Sequence, residues 1–300
     1  MKILVTGAFN CSKQQLKQIE SLGHEVVFMQ NEKDDIPCDY DCVEGVVCNG
    51  LFLFHDLEKF TSLRYVQLTS AGYDRVDVEY LKSKGVKLFN ARGVYSIPMA
   101  EFCLAGVLSL YKNMPTFYEN KKGKLWEKIR TNRELFGKKV LIIGAGSVGS
   151  ECAKRFKAFG CSVTGIDIYP VKNDCFDEVL PLDSLSSVLA HADVVVLTLP
   201  LTKDTENLFS VESFNAMKEG SVLVNIARGK IVDENALLSA LETKLMGAVI
   251  DVTSVEPLPK ESKLWDLDNV ILSPHNSFVG DGNSDRLYSL IIQNLTSESL

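Results

Sequence analysis

The chain has 300 residues, 46% hydrophobic and 24% charged, with a formal net charge of −7. This length suits two compact domains, and the acidic balance excludes a broad nucleic-acid surface, which needs clustered Lys and Arg. No stretch approaches the ~20 apolar residues that span a bilayer. The start, MKILVTG, has a strand pattern without a signal-peptide core or cleavage site, so a cytoplasmic protein is expected.

The first ninety residues alternate strand and helix signals. KILVT at 2–6 is a short apolar run ending at Gly7, and Leu16, Ile19 and Leu22 then recur at helical spacing before Gly23. Strand runs follow at 25–29, 44–48, 64–68 and 86–90, which implies a parallel sheet of βαβ units. Gly7 stands alone after the first strand, so this unit lacks a phosphate-binding glycine loop. Residues 97–111 are apolar almost all round, with Pro98 in the first turn of the helix, and such a helix is expected to be buried. From Lys112 to Lys138 the chain is polar, with Phe117 and Trp126 as isolated anchors, and reads as a connecting arm. Its basic run Lys121–Lys122–Gly123–Lys124 reads as a solvated face or linker.

A second series begins at Lys138. KKVLIIG is a buried strand, and Val148, Cys152, Phe156 and Phe159 mark one face of the next helix, which Gly160 ends. SVTGID follows, and then buried-strand candidates at 193–200, 221–227, 247–252 and 269–274, with helices over 210–218 and 234–242. The fold class is therefore α/β, two doubly wound parallel-sheet domains. One domain (1–94 plus 279–300) would surround an inserted second domain (95–278), with the short tail packed back on the first.

Eight cysteines fit a reducing compartment if they are free thiols. Cys103, Cys152 and Cys161 lie in or beside apolar patterns. Cys38, Cys42 and Cys48 form no CxxC and have only His55 nearby, so no metal site is expected.

GAGSVG at 144–149 joins a strand to a helix. Gly144 would let the chain turn, Gly146 would leave room for a pyrophosphate, and Gly149 would let helix and strand approach. The helix start then offers free N–H groups and its positive dipole end to phosphates. Asp167, eighteen residues beyond Gly149, would accept the ribose hydroxyls of NAD and repel the 2′-phosphate of NADP. No Arg follows it, and Lys172 is the nearest cation, so NAD(H) is expected in preference to NADP.

Three residues after predicted strands complete a chemical set: Arg228 in NIARG, Glu256 in VEPLP and His275 in SPHNS. Each alone reads as well as a surface arginine, a solvated acid or a satisfied histidine. Together they suit a 2-keto acid. Arg228 can fork onto its carboxylate and carbonyl oxygen, His275 can move a proton near neutral pH, and Glu256 can fix the histidine's tautomer.

From about Asn90 to Phe278 the chain resembles the D-isomer-specific 2-hydroxyacid dehydrogenases, through MAEFCLAGVLSL, GKKVLIIGAGSVGSECAKRFKAFG, LPLTKDTENLF, LVNIARGKIVDENALLSAL, AVIDVTSVEPLP and VILSPHN. The resemblance implies a flavodoxin-like substrate domain (1–94 plus 279–300) around an inserted Rossmann NAD-binding domain (95–278), with Arg228 as substrate clamp, His275 as acid/base and Glu256 as its partner. It also implies Ser147, Val148, Asp167, Pro200, Thr205, Ile226 and Asp251 as cofactor contacts, Asp251 reaching the nicotinamide amide. In the first domain SAGYD at 70–74 resembles the family's glycine loop, which puts Ala71 and Gly72 on the substrate carboxylate, opposite Arg228. The 97–111 helix and the arm after it correspond to the family's dimer contact, so a homodimer is expected. Departures are Phe102, where many members have His, and Asn276–Ser277 in place of an apolar–small pair. The compact form resembles glyoxylate/hydroxypyruvate reductases more than regulated phosphoglycerate dehydrogenases.

The expected activity is thus NAD(H)-dependent reduction of a 2-keto acid. The competing readings are a non-catalytic NAD-sensing protein of the corepressor type, against which no added recruiting tail is seen, and a generic Rossmann oxidoreductase, which has no need of the Arg–Glu–His set. The substrate and the physiological direction stay open at this level. Leu51–Phe54, Tyr73 and Tyr95 are apolar candidates for the substrate pocket.

Overall fold

The structure, a computed structural model, describes residues 1–297. The chain forms two compact units: Met1–Tyr95 with the segment from Gly280 onward, and Ser96–Val279.

The first unit contains β1 (Lys2–Thr6), α1 (Lys13–Ser21), β2 (Glu25–Met29), β3 (Gly45–Cys48), β4 (Tyr65–Leu68), α2 (Val78–Ser83), β5 (Lys87–Phe89) and α9 (Asn283–Thr296). Its sheet is fully parallel in the order β2-β1-β3-β4-β5, the flavodoxin-like winding. Successive strand residues face opposite sides. Ile3, Val5, Val47 and Tyr65 pack with Leu287, Ile291 and Leu295 of α9, while Leu4, Val46, Val66 and Leu68 pack with Leu81 of α2. The first helix starts where the sequence allows a reciprocal cap. Ser12 Oγ accepts the Gln15 N–H, and the Gln15 side chain accepts the Ser12 N–H.

The second unit contains α3 (Ser96–Tyr111), α4 (Met114–Lys122), β6 (Lys139–Ile143), α5 (Ser147–Ala158), β7 (Ser162–Asp167), β8 (Glu178–Pro181), α6 (Leu185–Leu189), β9 (Val194–Leu197), α7 (Val211–Ala216), β10 (Val222–Asn225), α8 (Glu234–Thr243), β11 (Gly247–Ile250) and β12 (Val270–Leu272). Its parallel sheet runs β12-β11-β10-β9-β6-β7-β8. The winding reverses between β6 and β9, the place where open α/β sheets bind ligands. One face packs Leu141, Val195 and Leu223 against α6–α8, and the other packs Val140, Val194 and Val222 against α3 and α5.

The helix over 97–111 is buried as expected, through Ala100, Cys103, Val107 and Leu110, with Glu101 exposed and paired with Arg155 of α5 at 3.1 Å. Two other expectations change. The polar arm holds a helix, α4, on which Phe117 is half-buried, whereas Trp126 is 99% exposed and anchors nothing within the chain. The short edge strand β8 and helix α6 have no counterpart in the sequence reading, because four residues with polar ends make no periodic signal. All eight cysteines are free thiols.

Candidate active site

Because every strand of the seven-stranded sheet is parallel, every strand's carboxyl end lies on one edge. The glycine turn leaves β6 there. Gly144 adopts φ +106°, and its N–H donates to Ile166 O at 2.7 Å. Thr198, just past β9, donates its hydroxyl to Gly144 O at 2.8 Å and so ties the turn across the switch point. No side chain caps the start of α5, and a Cβ on Gly146 would meet no protein atom within 4 Å. Uncapped N–H groups beside that space suit a pyrophosphate. Ser147 Oγ lies 2.8 Å from Ser96 Oγ, and Val148 packs partly buried against the core.

Asp167 ends β7. Its carboxylate accepts the Ala145 N–H at 2.8 Å and the Tyr169 N–H at 3.0 Å, joining the glycine turn to the neighbouring strand end. Lys172, the nearest cation in sequence, pairs with Asp174 at 3.6 Å instead. A carboxylate has about four acceptor directions, so Asp167 keeps capacity for ribose hydroxyls. Pro200 is exposed after β9. Thr205 is fully buried, its hydroxyl accepting the Thr202 N–H at 2.7 Å and donating to Pro200 O at 2.8 Å, so it shapes the Pro200 loop from within. Ile226 is buried just past β10. These residues fit a bound dinucleotide.

The chemical set stands on the same edge. Arg228 follows β10. Asn225 Nδ2 donates to Arg228 O at 3.1 Å, and Arg228 Nη1 donates to Ala227 O at 2.8 Å. A Cβ on the next residue, Gly229, would come within 2.0 Å of the Thr253 carbonyl, so glycine there brings the Arg228 turn against the loop after β11. That loop carries Glu256. Glu256 Oε1 accepts the Thr253 N–H at 3.2 Å, and Oε2 lies 2.9 Å from His275 Nδ1. A carboxylate only accepts, so Nδ1 carries the proton and Nε2 is the ring nitrogen left for other chemistry. Side-chain exposures of 42% for His275 and 39% for Glu256 leave the pair reachable by solute. His275 sits at φ +51°, a left-handed conformation that costs an L-residue about 1–2 kcal/mol. Asp251, at the end of β11, is 2% exposed and bonded to the loop that carries His275.

In the first unit the loop after β4 has its carbonyls tied back. Asn90 Nδ2 donates to Ala71 O at 2.6 Å, and Ser70 Oγ donates to Gly72 O at 3.0 Å. The N–H groups of Ala71 and Gly72 have no acceptor among the described residues. Tied carbonyls with open N–H groups suit a carboxylate. Of the apolar pocket candidates, Leu51 is a fully buried core residue, Phe52 packs on Phe60, and Leu53 and Phe54 are exposed. Tyr95 donates its hydroxyl to Thr69 O. Sequence reasoning missed Thr198, Asn90 and Ser273, polar residues just past strand ends whose partners lie far away along the chain.

Residues 104–277 match the family described as D-isomer specific 2-hydroxyacid dehydrogenase, NAD binding domain. The chain is 34% identical over 280 residues to a D-3-phosphoglycerate dehydrogenase of Methanocaldococcus jannaschii, covering 92% of this chain and 53% of that protein. It is 34% identical over 223 residues to a hydroxypyruvate reductase of Thermotoga maritima, covering 73% and 72%. A D-isomer specific 2-hydroxyacid dehydrogenase family protein from Aeromonas salmonicida superposes with a TM-score of 0.83 at 29% identity, covering 98% and 94%. The chain spans about half the length of the phosphoglycerate dehydrogenases it matches.

Proposed function

This chain belongs to the D-isomer specific 2-hydroxyacid dehydrogenase family, and we propose that it is an NAD(H)-dependent reductase of small 2-keto acids. The observation that carries this reading is the His275–Glu256 pair at 2.9 Å, on the sheet edge that also holds Arg228 and the uncapped start of α5.

Bound at the glycine turn, the nicotinamide would supply the hydride. The chain's own residues do the rest. Arg228 holds the substrate carboxylate and polarises the keto oxygen. In the first unit, the open N–H groups of Ala71 and Gly72 suit a carboxylate. His275 Nε2 gives a proton to the oxygen as it becomes a hydroxyl, and takes it back in the reverse direction. Glu256 keeps the proton on Nδ1 and stabilises the charged ring. Asp167 selects NAD over NADP, since no cation among the described residues pairs with it and it would repel a 2′-phosphate.

We assign the protein to the cytoplasm on its free thiols and to a homodimer through α3 and the polar arm after it, which carries the exposed Leu125, Trp126 and Phe136. Among the described residues no helix is long and apolar enough to cross a membrane.

The direct test follows NADH oxidation at 340 nm with glyoxylate, hydroxypyruvate, pyruvate, branched 2-keto acids and phosphohydroxypyruvate, then repeats the series with NADPH. Turnover with at least one acid, faster with NADH, is expected. His275→Ala should lose about 10²–10⁴-fold in kcat while binding NADH as before. Unchanged kcat in that variant would sink the assignment.

A further inference from the structure

Asp251 is a buried carboxylate that no cation among the described residues pairs with. Its partners are instead donors of one short loop. Oδ1 accepts the Ser273 hydroxyl, the Asn276 N–H at 2.7 Å and the Ser277 N–H at 3.1 Å, and Oδ2 accepts the Ser277 N–H at 3.1 Å. The Asp251 carbonyl takes the His275 N–H at 2.8 Å. Asp251 is itself fixed to the sheet, its own N–H donating to Asn225 O at 3.0 Å. One residue at the end of β11 therefore grips Ser273, His275, Asn276 and Ser277, the loop in which His275 takes its left-handed turn.

We propose that Asp251 is the positioning residue for the acid/base His275, a proposal that rests on the functional reading above. Its carboxylate gathers three donors that would otherwise repel one another at a tight turn. Gathering them fixes the His275 backbone at φ +51° and delivers Nδ1 to Glu256. Four bonds to one buried carboxylate make the side chain a clamp on the loop.

The test is Asp251→Asn in the full chain. The amide keeps the shape but turns one acceptor into a donor facing other donors. Misplacing a reacting group by about 1 Å costs about 10²-fold, so kcat should fall by that order while the NADH dissociation constant, read by fluorescence titration, holds. In a His275→Ala background the same change should add no further loss, because a residue acting through His275 has nothing left to act through. Ser273→Ala, which keeps the carboxylate, should lower kcat less and in the same direction, and it decides the matter if Asp251→Asn does not fold. The proposal is overturned if Asp251→Asn weakens NADH binding and spares kcat, if its loss multiplies with that of His275→Ala, or if kcat is unchanged in both Asp251→Asn and Ser273→Ala. Wild-type turnover in His275→Ala alone overturns the functional reading itself, a separate result from any of these.

Discussion

The three glycines of the 144–149 turn look alike in sequence, yet a methyl group would meet different surroundings at each. On Gly149 it would lie 2.0 Å from the Gly144 carbonyl oxygen, a backbone atom that cannot move aside cheaply. On Gly146 it would meet no protein atom within 4 Å. Gly149 therefore serves the fold, and Gly146 serves whatever occupies the space in front of it. Gly149→Ala should lower the melting temperature, by analogy with overpacked sites that cost about 1–3 kcal/mol. Gly146→Ala should melt like the parent chain and bind NADH at least about tenfold more weakly, equivalent to 1.4 kcal/mol. Thermal melts and NADH titrations of both variants check this. Equal NADH affinity in Gly146→Ala and the parent would remove the pyrophosphate from that position.

At the scale of elements, Asp193 shows how strand starts are fixed. Standing just before β9, it accepts the Lys139 N–H at 2.9 Å and the Lys218 ammonium at 2.7 Å. Burial pushes its carboxyl up, but the Lys139 N–H and the Lys218 charge outweigh burial and hold it below the ordinary 3.8. A carboxyl whose folded pKa is depressed stabilises the fold above its unfolded pKa, about 3.9, and loses that contribution as pH falls through the folded value. Asp193→Asn should therefore melt earlier at pH 7, by about 1–3 kcal/mol of lost charged hydrogen bonding, and the gap to the parent should close below about pH 4. A gap that stays constant down to pH 3 would contradict it. None of this was visible in sequence, where Asp193 is one acid before an apolar run. What was visible had a period or a fixed spacing: β6, α5 and β7 around the glycines, the buried runs of β9–β11, and Arg228, Glu256 and His275 at strand ends. What was hidden depends on bonds across long stretches of chain, such as Thr198 to the glycine turn, Asn90 to Ala71, and Asp251 to the His275 loop. The turn that holds His275 left-handed is hidden for the same reason, since SPHNS has no glycine to mark φ > 0.

At the scale of the whole molecule, the second unit leaves apolar side chains in water. Leu125 is 54% exposed, Trp126 99% and Phe136 77%, all on the arm between α4 and β6, with Tyr118 of α4 at 61%. The arm is not loose. Arg133 N–H donates to Tyr111 O at 2.9 Å, Lys112 Nζ to Arg133 O at 2.8 Å, and Asn113 Nδ2 to Asn132 Oδ1 at 2.7 Å, so it is held along the end of α3 with its aromatics outward. An ordered segment that presents a bare tryptophan suits an interface, where aromatic anchors dominate the binding energy. A homodimer should therefore show twice the 33.2 kDa chain mass in light scattering. Trp126→Arg should shift the population toward monomer by placing a charge where the partner would bury a ring, leaving the melting temperature of the isolated units close to that of the parent on dilution. Trp126 and Trp265 are the two tryptophans, and Trp265 is itself 54% exposed. Dilution should therefore move the emission of the parent chain to longer wavelength as Trp126 enters water, and leave that of Trp126→Arg unmoved. A concentration-independent mass of 33.2 kDa for the parent would show that the exposed arm serves no self-association.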